Sequence, residues 1–405
     1  MKKTLLFALS ALCIAGCCEK QTQPTQTAVP KIESTGELPI LAWHSIPADS
    51  TTLERFLEMK NIGINTHFSG YPDADAMERA LDLAEQAGIK VIISCPELSE
   101  EPEKTVTRFM NHPALAGYFL RDEPNTEAFP ELAAWAKRIR ATDDNHFCYL
   151  NLLPTYAPLD MLKAESYRDY VHRCDQEVPL QLLSFDHYPI VGDHYRPDWY
   201  ENLEIFSDEA RKAGKPFWAF ALATAHDPYP IPDLSHLRLQ MYSNLAYGAQ
   251  GLQYFTYWTP GKNPNWNFHH GPIGLDGKRT DVYDKIKTLN TELQALSGVF
   301  LGAEVLSVRH TGDSIPQGTV ALTELPAQVK SLETEGEGAV VSLLQNKDKQ
   351  FLVIVNRDFK NRMQLHIELA PEVKRILKDG SIVDASLYSD TMMVDPGDAM
   401  IYMLN

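Results

Sequence analysis

The chain has 405 residues, of which 44% are hydrophobic and 22% are charged, and its formal net charge is −17. A surface this acidic repels phosphate backbones and no basic run interrupts it, so nucleic acid is not expected as a partner. Without the short N-terminal leader, about 385 residues remain. This length is too great for one typical core and is enough for one large domain and a small one.

The N-terminus predicts an exported, lipid-anchored protein. A lysine pair precedes an apolar run over 4–12, which is too short to span a bilayer and is typical of a signal peptide. Residues 14–17 (Ile-Ala-Gly-Cys) resemble a bacterial lipoprotein processing site, which implies that 1–16 are removed and that Cys17 is lipidated. Ordinary secretion with cleavage nearby is the alternative. Residues 17–36 are polar and contain prolines, so we expect a flexible linker that holds the protein at the bacterial cell envelope, on the periplasmic or the outer face of the outer membrane.

One pattern repeats along residues 37–302: a short apolar run, a polar loop and a stretch with helical periodicity. Apolar strands that alternate with helices imply a parallel sheet covered by helices, and eight such units match the size of a (β/α)₈ TIM barrel. An open doubly wound sheet would need a glycine loop after its first strand, and residues 43–47 (Trp-His-Ser-Ile-Pro) contain no glycine. The predicted strands are Ile40–Trp43, Ile64–Phe68, Lys90–Cys95, Gly117–Arg121, Phe147–Leu152, Gln181–Phe185, Phe217–Leu222 and Leu252–Tyr257.

The sequence changes character after Gly302. Strand-like runs follow one another, separated by turn signals such as Lys378-Asp379-Gly380, and no helical pattern lies between them. We therefore expect a small antiparallel β-sandwich domain over residues 303–405.

The C-terminal ends of TIM-barrel strands carry the functional side chains. Here the predicted ends combine aromatic, imidazole, amide and carboxylate groups, which suits a neutral polyhydroxyl ligand such as a carbohydrate. The histidines lack the spacing of known metal motifs, so neither a metal nor another cofactor is expected. The candidate carbohydrate-binding residues are Trp43, His44, His67, Asp122, Asn151, His187, Tyr188, His226, Tyr257 and Trp258.

Three predicted strands resemble those of clan A glycoside hydrolases, in particular the β-galactosidase-like members. Residues 117–125 (Gly-Tyr-Phe-Leu-Arg-Asp-Glu-Pro-Asn) resemble the Asn-Glu-Pro motif of the fourth strand, which implies that Glu123 is the general acid/base. Residues 184–189 (Ser-Phe-Asp-His-Tyr-Pro) resemble the sixth-strand segment whose tyrosine faces the catalytic centre. On the eighth strand, Trp258 matches the tryptophan that forms the floor of the sugar subsite.

The sequence departs from the clan pattern at two positions. Asp122 stands where the clan has asparagine, and its like charge would raise the pKa of Glu123 and keep that carboxyl protonated. The nucleophile of the clan is a glutamate at the end of the seventh strand, where this sequence has Ala221. Glycoside hydrolysis usually needs two carboxyl groups, so a second one must come from elsewhere. The candidates, in order of preference, are Asp186, Asp227 and Glu97.

These features predict a glycoside hydrolase that acts on an oligosaccharide or polysaccharide fragment at the cell envelope. Glu123 would be the proton donor, and Asp186 or Asp227 the base or nucleophile. Inversion is the favoured stereochemistry, because Ala221 occupies the position of the nucleophile. The alternative is a non-hydrolytic glycan-binding lipoprotein on a degenerate glycosidase barrel.

Overall fold

The computed structural model describes residues 29–388 and 390–405. The predicted signal peptide, the lipidation site at Cys17 and the first part of the predicted linker lie outside the described residues. Along the described ranges, no helix is both long enough and apolar enough to cross a membrane.

The last residues of the predicted linker are packed against the folded protein. Ile32 is buried, and its backbone N–H donates to the carbonyl of Gly380 at 2.8 Å. The hydroxyl of Thr35 contacts the carbonyls of Ser297 and Leu301 at 3.1 and 2.8 Å. The prediction that the linker extends to residue 36 is therefore wrong at its end, because these residues are held by partners more than 200 positions away in the sequence.

Eight parallel strands form the predicted barrel in the order β5-β4-β3-β2-β1-β10-β9-β6. A bridge between Leu152 and Phe185 joins the two ends of this sheet and nearly closes it. The predicted TIM barrel is confirmed, with every predicted strand present. Its strands are β1 (Ile40–Trp43), β2 (Thr66–Phe68), β3 (Lys90–Ile93), β4 (Leu115–Asp122), β5 (Phe147–Asn151), β6 (Leu183–Phe185), β9 (Phe217–Leu222) and β10 (Gly251–Phe255), and the loop after β6 carries a hairpin of β7 (Ile190–Val191) and β8 (His194–Tyr195).

Helices cover the outside of the barrel, and α2 (Ala74–Ala87) shows how the sequence defines them. The side chain of Asp73 accepts from the backbone N–H of Ala76 at 2.7 Å, and Gly88 ends the helix with φ 67°. Alanine, leucine and methionine side chains form its buried stripe. The other helices are α1 (Leu53–Asn61), α3 (Pro96–Glu100), α4 (Pro102–Phe109), α5 (Phe129–Thr142), α6 (Leu159–Leu162), α7 (Tyr167–Glu177), α8 (Trp199–Ala213), α9 (Leu234–Ala246), α10 (Asp281–Ala295) and α11 (Ser297–Phe300).

Large aromatic side chains fill the inside of the barrel and form an apolar group that we call the interior cluster. Trp43, which is 8% exposed, lies among four of these rings. Its ring centroid is 4.3 Å from that of Phe68 and 5.4 Å from that of Phe220. The centroids of Phe119 and Tyr149 lie at 5.7 and 5.9 Å. The interior of the barrel is therefore packed with side chains.

Two antiparallel sheets follow the barrel and confirm the predicted β-sandwich. A six-stranded sheet has the order β11-β13-β14-β19-β16-β17, and a three-stranded sheet has the order β12-β15-β18. Neither sheet pairs with the barrel strands. Their strands are β11 (Glu304–His310), β12 (Val329–Thr334), β13 (Ala339–Asn346), β14 (Lys349–Asn356), β15 (Met363–Leu369), β16 (Lys374–Ile376), β17 (Ile382–Asp384), β18 (Asp390–Val394) and β19 (Ala399–Met403).

The six-stranded sheet packs against helices α9 and α11 of the barrel. The hydroxyl of Ser342 donates to the carbonyl of Ala246 at 2.7 Å. The amide of Asn346 donates to the carbonyls of Gly298 and Leu301 at 3.1 and 3.0 Å. Apolar residues of this sheet belong to the same continuous core as the helices of the barrel. The barrel and the sandwich are therefore joined by a buried interface.

Candidate active site

Strand β4 brings Glu123 to the mouth of the barrel. A register shift between Phe119 and Arg121 interrupts the regular pairing of β4 with β5. Glu123 follows with φ 46°, a left-handed conformation that costs a residue other than glycine about 1–3 kcal/mol. The backbone N–H of Glu123 donates to the carbonyl of Asn151 at 2.9 Å, and the next carbonyl, that of Pro124, accepts from a tyrosine of α7 at 2.5 Å. The neighbouring elements thus hold this backbone in an unfavourable conformation, as is common at functional sites.

A chain of hydrogen bonds through the barrel ends at Asp122. The amide of Gln253 on β10 donates to the hydroxyl of Ser184 at 2.8 Å, and this hydroxyl donates to Asn151 Oδ1 at 3.0 Å. Asn151 Nδ2 then donates to Asp122 Oδ1 at 3.1 Å. The hydroxyl of Tyr149 donates to Gln253 and lies 2.8 Å from Ser184 Oγ. Because four of these five residues are buried, the chain fixes the orientation of the Asp122 carboxyl.

Asp186, which follows β6, completes a cluster of three carboxyl groups. Its side chain lies near those of Asn151 and Glu123, and both of these residues affect its pKa. The residue is 9% exposed, and its Oδ1 has no hydrogen-bond partner among the described residues. The structure therefore brings Asp122, Glu123 and Asp186 together, as the strand ends suggest. We call these three residues the acid cluster.

Burial raises the pKa of all three carboxyl groups of the acid cluster. Loss of surrounding water raises the pKa of Glu123 to about 7, with a further contribution from the charge of Asp122, and the hydrogen bond with Asp186 acts in the opposite direction. Burial also raises the pKa of Asp122 to about 6, although the hydrogen bond from Asn151 lowers it. Burial, followed by the charges of Glu123 and Asp122, raises the pKa of Asp186 well above its ordinary value. Asp122 and Glu123 are nevertheless exposed to solvent at the end of the barrel.

The end of β9 provides no carboxylate. Ala221, the residue aligned with the clan nucleophile, packs in the core that includes the outer helices. Leu222 belongs to the interior cluster and is the residue that faces the inside of the barrel. Further along, the hydroxyl of Thr224 lies 2.7 Å from that of Thr256. A glutamate at position 221 would therefore point away from the acid cluster.

The other two candidates for a second carboxylate bind backbone or amide groups elsewhere. Asp227 is exposed, and its Oδ2 accepts from the amide of Asn267 at 2.9 Å. Glu97 accepts from the backbone N–H of Ala74 at 3.0 Å, and this hydrogen bond holds the pKa of Glu97 below its usual range. Neither interacts with Glu123, so the prediction of a catalytic Asp227 finds no support in the geometry.

Histidine 67 lies outside the mouth of the barrel, contrary to the prediction. His67 is fully buried with its ring centroid 5.1 Å from that of Phe56 on α1. Its Nε2 lies 3.2 Å from the hydroxyl of Tyr71, and burial lowers its pKa to about 3. The strand alternation turns His67 toward the helices and its neighbour Phe68 toward the interior cluster. His67 is therefore a core residue.

Tyr257 and Trp258 also lie away from the acid cluster. Tyr257 is fully buried within electrostatic reach of Glu58 on α1. The guanidinium of Arg55, also on α1, lies 5.1 Å from the centre of the Trp258 ring. The aromatic residue that ends the eighth barrel strand is instead Phe255, which packs against the interior cluster. The period-two alternation of Gln253 and Phe255 is the signal that identifies the inward face of this strand.

Of the remaining predicted binding residues, His44 and Tyr188 lie at the mouth, whereas His187 is buried behind it. His44 is exposed after β1, and partial burial lowers its pKa. Tyr188 lies within electrostatic reach of all three acids, with its ring centroid 5.6 Å from that of Phe255. Burial raises the pKa of its hydroxyl. His187 is buried, with Nε2 3.6 Å from a carboxylate oxygen of Asp198.

The loop after β10 adds an aromatic rim that the sequence motifs did not indicate. His226 packs between Tyr229 and Phe268, at ring-centroid distances of 4.8 and 4.7 Å. Trp266, which is 46% exposed, lies 5.4 Å from the His226 ring. Trp266 is thus the solvent-accessible tryptophan near the mouth, in contrast to Trp43 and Trp258. Within the described ranges, no group of three or more histidine, cysteine, aspartate or glutamate residues could hold a metal ion.

No family model matches the chain, and no curated protein is significantly similar to it. Solved structures are similar to it in fold. A β-galactosidase from Bacillus circulans sp. alkalophilus aligns with a TM-score of 0.62 and 9% identity over 91% of this chain and 99% of that one. A catalytic mutant of a GH42 β-galactosidase from G. stearothermophilus aligns with a TM-score of 0.59 and 10% identity, over 93% and 99% of the two chains. A β-galactosidase from Marinomonas ef1 aligns with a TM-score of 0.49 and 13% identity. The alignment covers 65% of this chain and 60% of that enzyme. The chain therefore shares the fold of the two β-galactosidases with the higher TM-scores, a parallel eight-stranded barrel followed by antiparallel β-sheets.

Proposed function

We propose that the protein is a glycoside hydrolase that acts on an oligosaccharide or polysaccharide fragment, with Glu123 as the general acid. The observation that carries this proposal is the acid cluster at the open end of a barrel with a glycosidase fold. A general acid must hold a proton near neutral pH and must reach the leaving group. Glu123 combines a raised pKa with an accessible side chain, so it meets both requirements.

Asp186 does not meet the requirements for the second carboxylate of either standard mechanism. That carboxylate must be ionised and must reach the substrate or its attacking water. Asp186 is buried, and burial together with the charges of Glu123 and Asp122 favours its protonated form. We therefore assign Asp186 the role of a positioning residue for the proton of Glu123, and inversion loses its support.

The proposal places this activity at the cell envelope, with Cys17 as the lipid attachment point. It is supported by the processing-site sequence Ile-Ala-Gly-Cys at 14–17. The intact mass of the mature protein tests this point. An acylated N-terminal cysteine would support the anchor, whereas a free N-terminus at another residue would refute it.

A non-hydrolytic glycan-binding protein is the second candidate. It is favoured by the absence of a carboxylate at the end of β9, where Ala221 and Leu222 stand. The aromatic rim and the acid cluster would then bind a sugar without cleaving it.

The substitution Glu123→Gln separates the two candidates. The amide keeps the shape of the side chain but carries no transferable proton, so kcat should fall by about 10²- to 10⁴-fold while glycan binding persists. Hydrolysis of a panel of aryl glycosides gives kcat, and calorimetry with the same sugars gives the affinity. Because Glu123 must be protonated, the wild-type rate should also fall as the pH rises past about 7.

Glu127→Gln is the matched control, since Glu127 is exposed and lies four positions further along the same loop. It should leave kcat and affinity unchanged. If the wild-type protein binds glycans but cleaves no member of the panel, the binding function replaces the enzymatic one.

A further inference from the structure

The three acids occupy one sector of the barrel mouth. Asp122 ends β4 and Glu123 follows it, Asp186 follows β6, and β5 lies between these two strands. In a retaining glycosidase, the nucleophile attacks the sugar from the face opposite its leaving group. The neighbouring end of β9 offers only Leu222 and Thr224 for that purpose, and neither is acidic. The described chain therefore has an acid cluster without a carboxylate nucleophile facing it.

The two accessible acids are consecutive in the sequence. The charge of Asp122 contributes to the raised pKa of Glu123, so the two carboxyl groups lie close to each other at the end of the barrel. Asp122 is oriented by the buried chain that ends at Asn151, which engages Oδ1 and makes Oδ2 the oxygen that we assign to the substrate.

We propose that the substrate supplies its own nucleophile and is a glycoside of a 2-acetamido-2-deoxy sugar, with Glu123 as the acid and Asp122 beside the acetamido group. This inference rests on the proposed function and specifies its substrate class. An acetamido group at C2 places a carbonyl oxygen next to C1, where a carboxylate nucleophile would otherwise act. The apolar wall formed by Tyr188 and Phe255 beside the acids suits the methyl group of such a substituent.

The acetamido group, Glu123, Asp122 and one water molecule are sufficient for this reaction. The acetamido carbonyl oxygen attacks C1, the bond from C1 to the leaving oxygen breaks, and Glu123 transfers its proton to that oxygen. Asp122 accepts a hydrogen bond from the amide N–H and stabilises the positive charge of the cyclic oxazolinium ion. Water then attacks C1, its proton passes to Glu123, and the bond between C1 and the acetamido oxygen breaks. The products are the hemiacetal, with retained configuration, and the free alcohol.

A comparison of paired substrates tests this inference on the wild-type protein. We expect 4-nitrophenyl 2-acetamido-2-deoxyglycosides to be cleaved with a kcat/KM about 10²-fold or more above that of the matching 2-hydroxyl glycosides, in the gluco and galacto series. N-fluoroacetyl, N-difluoroacetyl and N-trifluoroacetyl analogues should react progressively more slowly, because fluorine makes the carbonyl oxygen a weaker nucleophile. The thiazoline of N-acetylglucosamine, a mimic of the cyclic intermediate, should act as a competitive inhibitor.

The variant Asp122→Asn supplies an independent measurement. It should lower kcat more than it changes KM on the acetamido substrates, and it should weaken inhibition by the thiazoline. Asp160→Asn, at an exposed position on α6, is the matched control and should alter neither. A loss of activity that is equal on both substrate classes would show a merely structural role for Asp122.

The outcomes separate this inference from the proposed function. Comparable kcat/KM values for 2-hydroxyl and 2-acetamido substrates, or a flat fluorine series, would overturn the inference and leave a glycoside hydrolase. The absence of hydrolysis of every glycoside would overturn the proposed function, and the inference with it.

Discussion

Asp186 is a buried carboxyl whose charged form is disfavoured by loss of water and by two neighbouring acids. Its pKa in the folded protein therefore lies above that in the unfolded chain, which is about 3.9 for an aspartate. The folded state binds the proton more tightly. The full stabilising contribution of this proton is therefore present at pH values below the pKa of the unfolded chain. That contribution is lost as the pH rises through the folded pKa.

The substitution Asp186→Asn should accordingly make the protein more stable at high pH. We expect its Tm to exceed that of the wild-type protein above pH 7, and the difference to shrink as the pH falls toward 4, because the amide cannot ionise. Thermal unfolding followed by circular dichroism between pH 4 and 8 measures this difference. Asp227→Asn, at an exposed aspartate outside the acid cluster, should follow the wild-type profile. Identical pH profiles for the wild-type protein and Asp186→Asn would contradict the raised pKa.

Sequence patterns predict some of these residues better than others. Glu123 and Asp186 are identifiable because each lies just beyond a predicted strand, and strand ends converge in a barrel. The predictions that place His67 and Tyr257 at the mouth are wrong for the same physical reason. Both faces of a barrel strand are buried, so the polarity pattern does not distinguish the interior from the helix-covered side. A shift of one residue then exchanges the two faces.

At the scale of strands, the buried hydrogen-bond chain links four elements of the barrel to the acid cluster. Ser184 on β6 is its central member, since it accepts from Gln253 and donates to Asn151. A buried polar chain of this kind is stable only when every member has a partner. The orientation of Asp122 therefore depends on a serine that does not itself reach the substrate.

The substitution Ser184→Ala should reduce both stability and activity. It leaves Asn151 Oδ1 and the Gln253 amide without this partner, at a cost of about 1–3 kcal/mol in the free energy of unfolding. It should also lower kcat, because Asn151 no longer holds Asp122 in place. Urea unfolding and the glycoside assay give the two quantities. Ser243→Ala is the control, because Ser243 is equally buried but lies on α9, where its hydroxyl is 3.5 Å from that of Tyr200. Equal effects of both variants would contradict a special role for the chain.

Elements defined by local signals could be predicted from the sequence, and those that depend on distant contacts could not. Helix α2 has a capping aspartate, an apolar stripe and a terminal glycine within one short segment. Residues 31–36 carry no such signal, and their order comes from partners on α11 and near Gly380. Composition alone therefore predicts a linker for a segment that packs against the surface of the folded protein.

At the scale of the whole molecule, the barrel and the sandwich share one continuous apolar core. The boundary at residue 302 marks a change of architecture, because the last barrel helix ends at Phe300 and β11 begins at Glu304. Val340 and Leu344 on β13 nevertheless pack with the helices of the barrel. Apolar burial is the main favourable contribution to folding, so separation of the two parts would expose a large surface to water.

We therefore expect the full chain to unfold in a single cooperative transition. The amide of Asn346 donates to three carbonyls at Gly298, Val299 and Leu301, and the residue is buried at the interface. The substitution Asn346→Ala should lower the free energy of unfolding by about 1–3 kcal/mol, because these carbonyls lose their donor. In differential scanning calorimetry, the entire transition should move to lower temperature. Asn265→Ala, at an exposed loop position, is the control and should leave the transition in place. Two resolved transitions, of which Asn346→Ala moves only the one that belongs to the sandwich, would show instead that the barrel folds independently.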